Sequence, residues 1–111
     1  MAAEKVIAVH SVDAWTEQLN QAKESKKLAV IGFTATWCPS CRAIAPYFAD
    51  LTKRFLNVIF LNVDVDELQS VCQDCKVEEI PTFIFMKEGQ TVDKIIDPHR
   101  EELEKKITQN A

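Results

Sequence analysis

Apolar runs typical of β-strands alternate with helical patterns along most of this chain, and few folds accommodate that order. The strand-like runs are residues 5–9, 28–33, 58–63, 82–86 and 91–96. Helical spacing of apolar residues separates the first four runs and follows the fifth. The order β-α-β-α-β-α-β-β-α predicts an α/β fold whose first strands are parallel and joined by right-handed crossovers. The last two strands form a hairpin, with Gly89 in its turn.

Local signals in the sequence predict how three of the helices begin or pack. Ser11 is the expected N-cap of the first helix, whose apolar positions are Val12, Trp15, Leu19 and Ala22. The second helix is expected to bend at Pro46, because proline lacks the N–H of a helical hydrogen bond. Its inner stripe comprises Ile44, Phe48, Leu51 and Phe55. Asp97 and Pro98 are the expected N-cap and first position of the last helix.

The composition indicates one globular domain over residues 1–111. Hydrophobic residues make up 47% of the chain and charged residues 27%, which is ordinary for a folded protein. A net charge of −4 leaves no general basic face for nucleic acid. No apolar run has the length of a membrane span, and the first ten residues lack the apolar core of a signal peptide. We therefore expect a cytoplasmic protein that binds neither nucleic acid nor membranes.

The segment WCPSC (37–41) lies where the second strand passes into its helix, at the strand end where open α/β sheets carry their chemistry. Cys38 is expected at the helix N-cap, with Pro39 in the first helical position. Unpaired N–H groups and the positive end of the helix dipole would then lower the pKa of the Cys38 thiol from about 8.5. Cys41, one turn later, is close enough to resolve a mixed disulfide at Cys38, and Trp37 offers an apolar lip for a partner.

Two other interpretations of this cysteine pair remain open. It could bind zinc together with a second pair, Cys72 and Cys75, although their separation exceeds the gap of about 15–20 residues in the usual four-cysteine pattern. It could also form a purely structural disulfide, which is uncommon in a reducing cytosol. The residues alone therefore favour a reactive pair over a metal site or a structural bridge.

The segment FTATWCPSCRAIAPYFADL (33–51) resembles the thioredoxins, in particular the plant cytosolic h-type branch. The likeness extends over roughly residues 4–109 and includes NVDVDE (62–67) and VEEIPTFIFMKEG (77–89). It implies a thioredoxin fold, with a five-stranded mixed sheet flanked by four helices. It also implies a protein dithiol–disulfide oxidoreductase that needs no bound cofactor and no metal.

The resemblance assigns a role to each matching residue. Cys38 is the attacking thiol, Cys41 the resolving thiol, and Trp37 packs beside them. Pro81 matches a cis-proline that faces the active site, and Ile80 offers backbone hydrogen bonds to an extended substrate segment. The implied partners are disulfide-containing target proteins, with thioredoxin reductase or glutathione and glutaredoxin as the reductant. We expect a monomer, with a disulfide-linked dimer as the alternative.

Three departures from the family pattern bear on function. Pro39 and Ser40 replace the usual Gly-Pro between the cysteines and should shift the redox potential, for which we favour a more oxidising couple. Gly32 stands where the family usually has a buried aspartate that helps move the proton of the resolving thiol. Loss of this aspartate either slows the resolution of mixed disulfides by Cys41 or only removes a buried charge, with water relaying the proton. Asp97 and Pro98 replace the usual Gly-Ala. Either they start the last helix, or Asp97 places a negative charge on the rim of the substrate surface.

The second cysteine pair also has two interpretations. Leu68, Val71, Cys72 and Cys75 follow the spacing of one helical face, so both thiols are expected to fill the core. Alternatively, Cys75 is a regulatory thiol that reacts with glutathione or with a second molecule, because its helix leads into the Ile80–Pro81 loop. The rival to the enzymatic function as a whole is a thioredoxin-like binding or redox-sensing module with weak turnover.

Overall fold

The structure is a computed structural model that describes residues 5–111. Its strands are β1 (Ile7–Val9), β2 (Ala29–Thr34), β3 (Ile59–Asp64), β4 (Thr82–Lys87) and β5 (Gln90–Ile96). Its helices are α1 (Val12–Ser25), α2 (Pro39–Leu51), α3 (Gln69–Asp74) and α4 (Arg100–Asn110). The predicted order of elements is therefore confirmed. No helix within residues 5–111 is long and apolar enough to cross a membrane.

The five strands form one mixed sheet in the order β1-β3-β2-β4-β5. β1, β3 and β2 are parallel, whereas β4 is antiparallel to both β2 and β5. Glu88 and Gly89 make the two-residue turn of the closing hairpin, with φ angles of 52° and 84°. Two positive φ angles are typical of the turn that matches the twist of paired strands, so Gly89 is used as predicted.

Side chains on the two faces of the sheet form separate cores, because successive residues of a strand point to opposite faces. Ile31 and Phe33 of β2 belong to the core that includes Trp15 of α1 and Val71 of α3. The opposite core is formed by α2, α4 and the alternate strand residues, which include Val30, Phe83 and Phe85. Gly32 lies on this second face, beneath α2. The position without a side chain is therefore at the centre of the sheet and next to the helix that carries the cysteines.

The predicted start of α1 is confirmed, whereas the predicted inner stripes need correction. The Ser11 hydroxyl accepts a hydrogen bond from the Ala14 amide at 3.0 Å, which is the expected N-cap contact. Val12 is 50% exposed, so it does not belong to the buried face of α1. Phe55 packs against the core beside α2 but lies beyond its last residue, Leu51, in the loop that leads to β3.

The predicted start of α4 is wrong by two residues. His99, not Asp97, occupies the N-cap, and α4 begins at Arg100 instead of Pro98. Asp97 has a left-handed backbone with φ of 46°, whereas an N-cap residue has an extended one. The Asp97 amide donates a hydrogen bond to the Pro81 carbonyl at 2.8 Å, which ties this residue to the sheet instead of to the helix. A long-range contact therefore overrides a local helix-start signal.

Candidate active site

The two cysteines of WCPSC lie at the carboxyl end of β2, where the loop after Thr34 leads into α2. Cys38 is the N-cap of α2 and Pro39 is in the first turn, as predicted. The Cys38 sulfur accepts a hydrogen bond from the Cys41 amide at 3.2 Å. Cys38 and Cys41 form a disulfide with their Cα atoms 5.3 Å apart, so the structure represents the oxidised form. The helix N-terminus thus directs one of its free N–H groups at the sulfur of Cys38.

Exposure does not distinguish the two sulfur-bearing residues in this oxidised form. Cys38 is 5% exposed and Cys41 is 3% exposed. Both are buried because the disulfide packs against Ala35, Val65 and Ile80. The difference between the cysteines is electrostatic instead, since only Cys38 occupies the N-cap position.

Trp37 forms an exposed rim directly before the disulfide. Its side chain is 63% exposed, which is unusual for so large an apolar group. The indole Nε1 donates a hydrogen bond to Asp66 Oδ2 at 2.8 Å, which holds the ring in one orientation. Asp66 was not identified from the sequence, because it follows β3 and lies 29 residues further along the chain. The carboxyl ends of neighbouring parallel strands meet at one edge of the sheet. This rule was the available signal that residues after β3, such as Asp66, lie near Trp37.

The Ile80–Pro81 loop lies on the other side of the disulfide. The Ile80–Pro81 peptide bond is cis, as the resemblance implies. Ile80 packs against the Cys38–Cys41 cluster, and Pro81 lines a cavity together with Cys41. The structure therefore brings together all five residues expected at the target surface, which are Trp37, Cys38, Cys41, Ile80 and Pro81.

Aromatic rings occupy the space around Gly32. A Cβ atom at this position would lie 3.0 Å from Phe83 Cε1 and 3.4 Å from Phe48 Cε2. The two ring centroids are 5.0 Å apart, and Phe60 continues the cluster at 5.3 Å from Phe48. Because β2 and β4 pair Gly32 with Phe83, the register of the sheet brings the ring over the glycine. A side chain at this position would therefore require the Phe83 ring to shift by a few tenths of an ångström.

A mainly apolar cavity of about 190 Å³ connects Gly32 to Cys41. Phe48, Pro81 and Phe83 line it, and its polar contributions come from residues such as Thr34 and Asn62. None of the residues that line this cavity is an acid or a histidine. Within residues 5–111, Cys41 therefore has no carboxylate on its Gly32 side, whereas a second groove that Cys41 borders is lined by Asp64, Asp66 and Glu67.

The second cysteine pair lies in a different core from the disulfide. Cys72 is buried in α3, and Cys75, at the end of that helix, is half-buried. Burial, with Asp64 and Asp66 nearby, raises the pKa of the Cys72 thiol. Burial also raises the pKa of the Cys75 thiol to about 11, and Cys72 contributes to that shift. Both thiols are therefore protonated near neutral pH, which favours core filling over a reactive regulatory role.

Comparison with known proteins agrees with this geometry. A sequence model of the family described as thioredoxin matches residues 6–109. The chain belongs to the thioredoxin family. Thioredoxin H3 of Arabidopsis thaliana is 59% identical to it over 104 residues, covering 93% of this chain and 88% of that protein. Thioredoxin H5 of the same plant is 51% identical over 107 residues, covering 96% and 91%. The crystal structure of thioredoxin NaTrxh from Nicotiana alata matches with a TM-score of 0.92 and 37% identity, covering 96% and 93% of the two chains.

Family membership confirms the fold and the general activity predicted from the sequence. The chain has the thioredoxin fold, with five strands in one mixed sheet and four helices. Thioredoxins are thiol–disulfide oxidoreductases, and Cys38 and Cys41 provide the disulfide-forming pair that this reaction requires. This thioredoxin is therefore a protein dithiol–disulfide oxidoreductase. Thioredoxins act on disulfide-containing proteins and are reduced by thioredoxin reductase.

Proposed function

We propose that Cys38 attacks the disulfide of a target protein and that Cys41 resolves the resulting mixed disulfide. The observation that carries this assignment is the position of Cys38 at the N-cap of α2, where its sulfur accepts the Cys41 amide hydrogen bond. Hydrogen-bond donors and the positive end of a helix stabilise a thiolate relative to a thiol. The thiolate is the attacking species in disulfide exchange.

The reaction transfers two electrons from this protein to the target. The Cys38 thiolate attacks one target sulfur, a Cys38–target disulfide forms, and the other target sulfur leaves as a thiolate. The Cys41 thiol loses its proton and its sulfur attacks the Cys38 sulfur. The Cys38–Cys41 disulfide then forms, and the first target sulfur leaves as a thiolate. The product is the oxidised form described above.

The target surface consists of Trp37, Ile80 and Pro81. Trp37 provides an exposed ring whose orientation is held by Asp66. The backbone N–H and C=O groups of Ile80 make no hydrogen bond within residues 5–111, and the residue precedes β4. An extended target segment has both groups available for pairing, as in other cases of strand addition.

Two residues between the cysteines and one beneath them tune this reaction. Pro39 and Ser40 lie in the first turn of α2, where a changed hydrogen bond to either sulfur alters the balance between thiolate and disulfide. Gly32 leaves Cys41 without a carboxylate in the cavity they share. We therefore propose that resolution by Cys41 is slow, so that mixed disulfides with targets persist.

The reductant of this protein is proposed to be thioredoxin reductase, with glutathione and glutaredoxin as the alternative. The similarity to H-type thioredoxins supports this proposal and a cytosolic location. The same slow resolution favours one second candidate function, a redox-sensing or binding module that holds its partners through long-lived mixed disulfides. Activity measurements separate the two functions.

The test is reduction of insulin coupled to NADPH oxidation by thioredoxin reductase. The wild type should be active, Cys38→Ser should be inactive, and Cys41→Ser should accumulate a mixed disulfide with insulin. Cys75→Ser is the matched control, because it removes a half-buried thiol outside the disulfide and should retain activity. An active Cys38→Ser variant would refute the assigned roles. An inactive wild type that still forms mixed disulfides would favour the binding module.

A further inference from the structure

We infer that Asp97 selects among the targets of this thioredoxin, favouring an extended segment that carries a lysine or arginine close to its reacting disulfide. The selection depends on the target surface proposed above, which Asp97 borders. The residue lies between β5 and α4, and its side chain is exposed. Because its amide donates to the Pro81 carbonyl at 2.8 Å, its backbone is fixed directly beside the proline of that surface.

The backbone conformation of Asp97 does not by itself assign a role to its side chain. Its φ of 46° lies in the left-handed region, which glycine adopts without strain and which aspartate tolerates. Lys26, Lys76 and Glu88 also have positive φ angles, so the case for Asp97 depends on the surroundings of its carboxylate.

The Asp97 carboxylate has no structural partner within residues 5–111. It makes no hydrogen bond or ion pair there, and the N-cap of α4 is His99. Glu101 and Glu102 already provide the negative charge that stabilises the first turn of α4. The helix-start explanation of Asp97 therefore fails, and its charge remains available to a bound target.

A groove of about 550 Å³ connects Asp97 to the active-site turn. Ser40, from the first turn of α2, lines one side, and Asp97 and Glu101 contribute negative charge to the other. His99 and Arg100 also border the groove, and the Arg100 guanidinium lies over the Tyr47 ring, 5.5 Å from the ring centroid, so two carboxylates face one guanidinium. A target segment that leaves the disulfide along this groove passes an acidic wall, so a basic side chain on that segment is complementary to it.

The experiment compares two synthetic peptides that contain the same intramolecular disulfide and differ by one lysine or glutamate next to it. Reduced protein is mixed with each peptide, the reaction is quenched with acid, and the reduced peptide is quantified by chromatography. The variant is Asp97→Asn, because asparagine also tolerates the left-handed backbone and removes only the charge. The matched control is Glu17→Gln, which makes the same change in net charge on the exposed surface of α1.

For the wild type, we expect the lysine peptide to react about two- to fivefold faster than the glutamate peptide, as one exposed ion pair allows. Asp97→Asn should abolish most of this preference, Glu17→Gln should retain it, and about 0.5 M salt should weaken it. An unchanged preference in Asp97→Asn, or an equal loss in Glu17→Gln, would overturn the inference. Cys38→Ser distinguishes this result from failure of the proposed chemistry, because it should reduce neither peptide.

Discussion

Replacing Gly32 by aspartate is predicted to speed resolution by Cys41 and to destabilise the fold. The introduced side chain would enter the aromatic surroundings of Phe48 and Phe83 and border the same cavity as Cys41. A carboxylate there can accept the proton that the Cys41 thiol must lose. General base catalysis contributes about 10²–10⁴-fold when the base is well positioned, so we expect at least a tenfold shorter lifetime of the mixed disulfide.

The cost in stability has a steric part and an electrostatic part. A Cβ atom 3.0 Å from the Phe83 ring is overpacked, which costs about 1–2 kcal/mol, and loss of a strand glycine returns about 0.5–1 kcal/mol. Burial among aromatic rings should raise the pKa of the new carboxyl by about three units, at about 1.4 kcal/mol for each unit. The aspartate variant should therefore lose about 4–5 kcal/mol in its free energy of unfolding near pH 7.

Gly32→Asn is the matched control, because it has nearly the same shape and no charge. The folded-state pKa of the aspartate lies above its unfolded value of about 3.9. The variant therefore loses stability as pH rises from about 4 to the folded pKa, and loses no more above it. Urea unfolding of the oxidised proteins from about pH 4 to pH 8 should give an Asp–Asn difference that grows over this range.

The resolution step is measured in a single turnover. Reduced protein is mixed with excess disulfide substrate, quenched with acid, and the fraction present as mixed disulfide is determined by mass spectrometry. Gly32→Asp should shorten this lifetime in a pH-dependent manner, whereas Gly32→Asn should not. Equal lifetimes for the two variants at every pH would refute the link between Gly32 and slow resolution, and would favour water as the proton acceptor.

Two further predictions concern the surface and the second cysteine pair. Hydrogen bonds from Arg54 and Tyr47 lower the pKa of Glu104, so the wild type should be more stable than Glu104→Gln at neutral pH. That advantage should disappear as pH falls below about 4, because protonation of Glu104 in the wild type removes the charge that the glutamine variant already lacks, and thermal denaturation at the two pH values measures it. Ellman's reagent should detect two fast-reacting thiols in the reduced native protein, because Cys72 and Cys75 have raised pKa values and restricted exposure. Three or more fast-reacting thiols would support the regulatory interpretation.

Features that depend on neighbouring residues were predictable from the sequence. The N-cap at Ser11 follows from a capping side chain directly before a helical pattern, and the N-cap at Cys38 follows from Pro39 in the first helical position. The turn at Gly89 follows from its position between two strand-like runs. The order of elements also limited the topology, because parallel strands need crossover helices and a two-residue turn permits only an antiparallel pair.

Features that depend on distant contacts were not predictable in this way. The sequence Asp97–Pro98 is a good local helix start, but the hydrogen bond to Pro81 competes with it and displaces the start of α4. Similarly, nothing near Trp37 in the sequence identifies Asp66 as the partner of its indole. In both cases the partner is brought in by the sheet, whose register is not encoded in any single segment.

The role of Gly32 depends both on a local sequence signal and on distant contacts. The sequence identifies the missing carboxylate, but the consequence depends on what fills its place. A cavity of about 190 Å³ borders Gly32, but its lining is mainly apolar, so a water molecule there has few polar partners. The β2–β4 register brings Phe83 against the glycine, and Phe48 of α2 packs against the same position. A substitution that restores only the carboxylate therefore introduces a charged side chain into an aromatic core that packs against glycine.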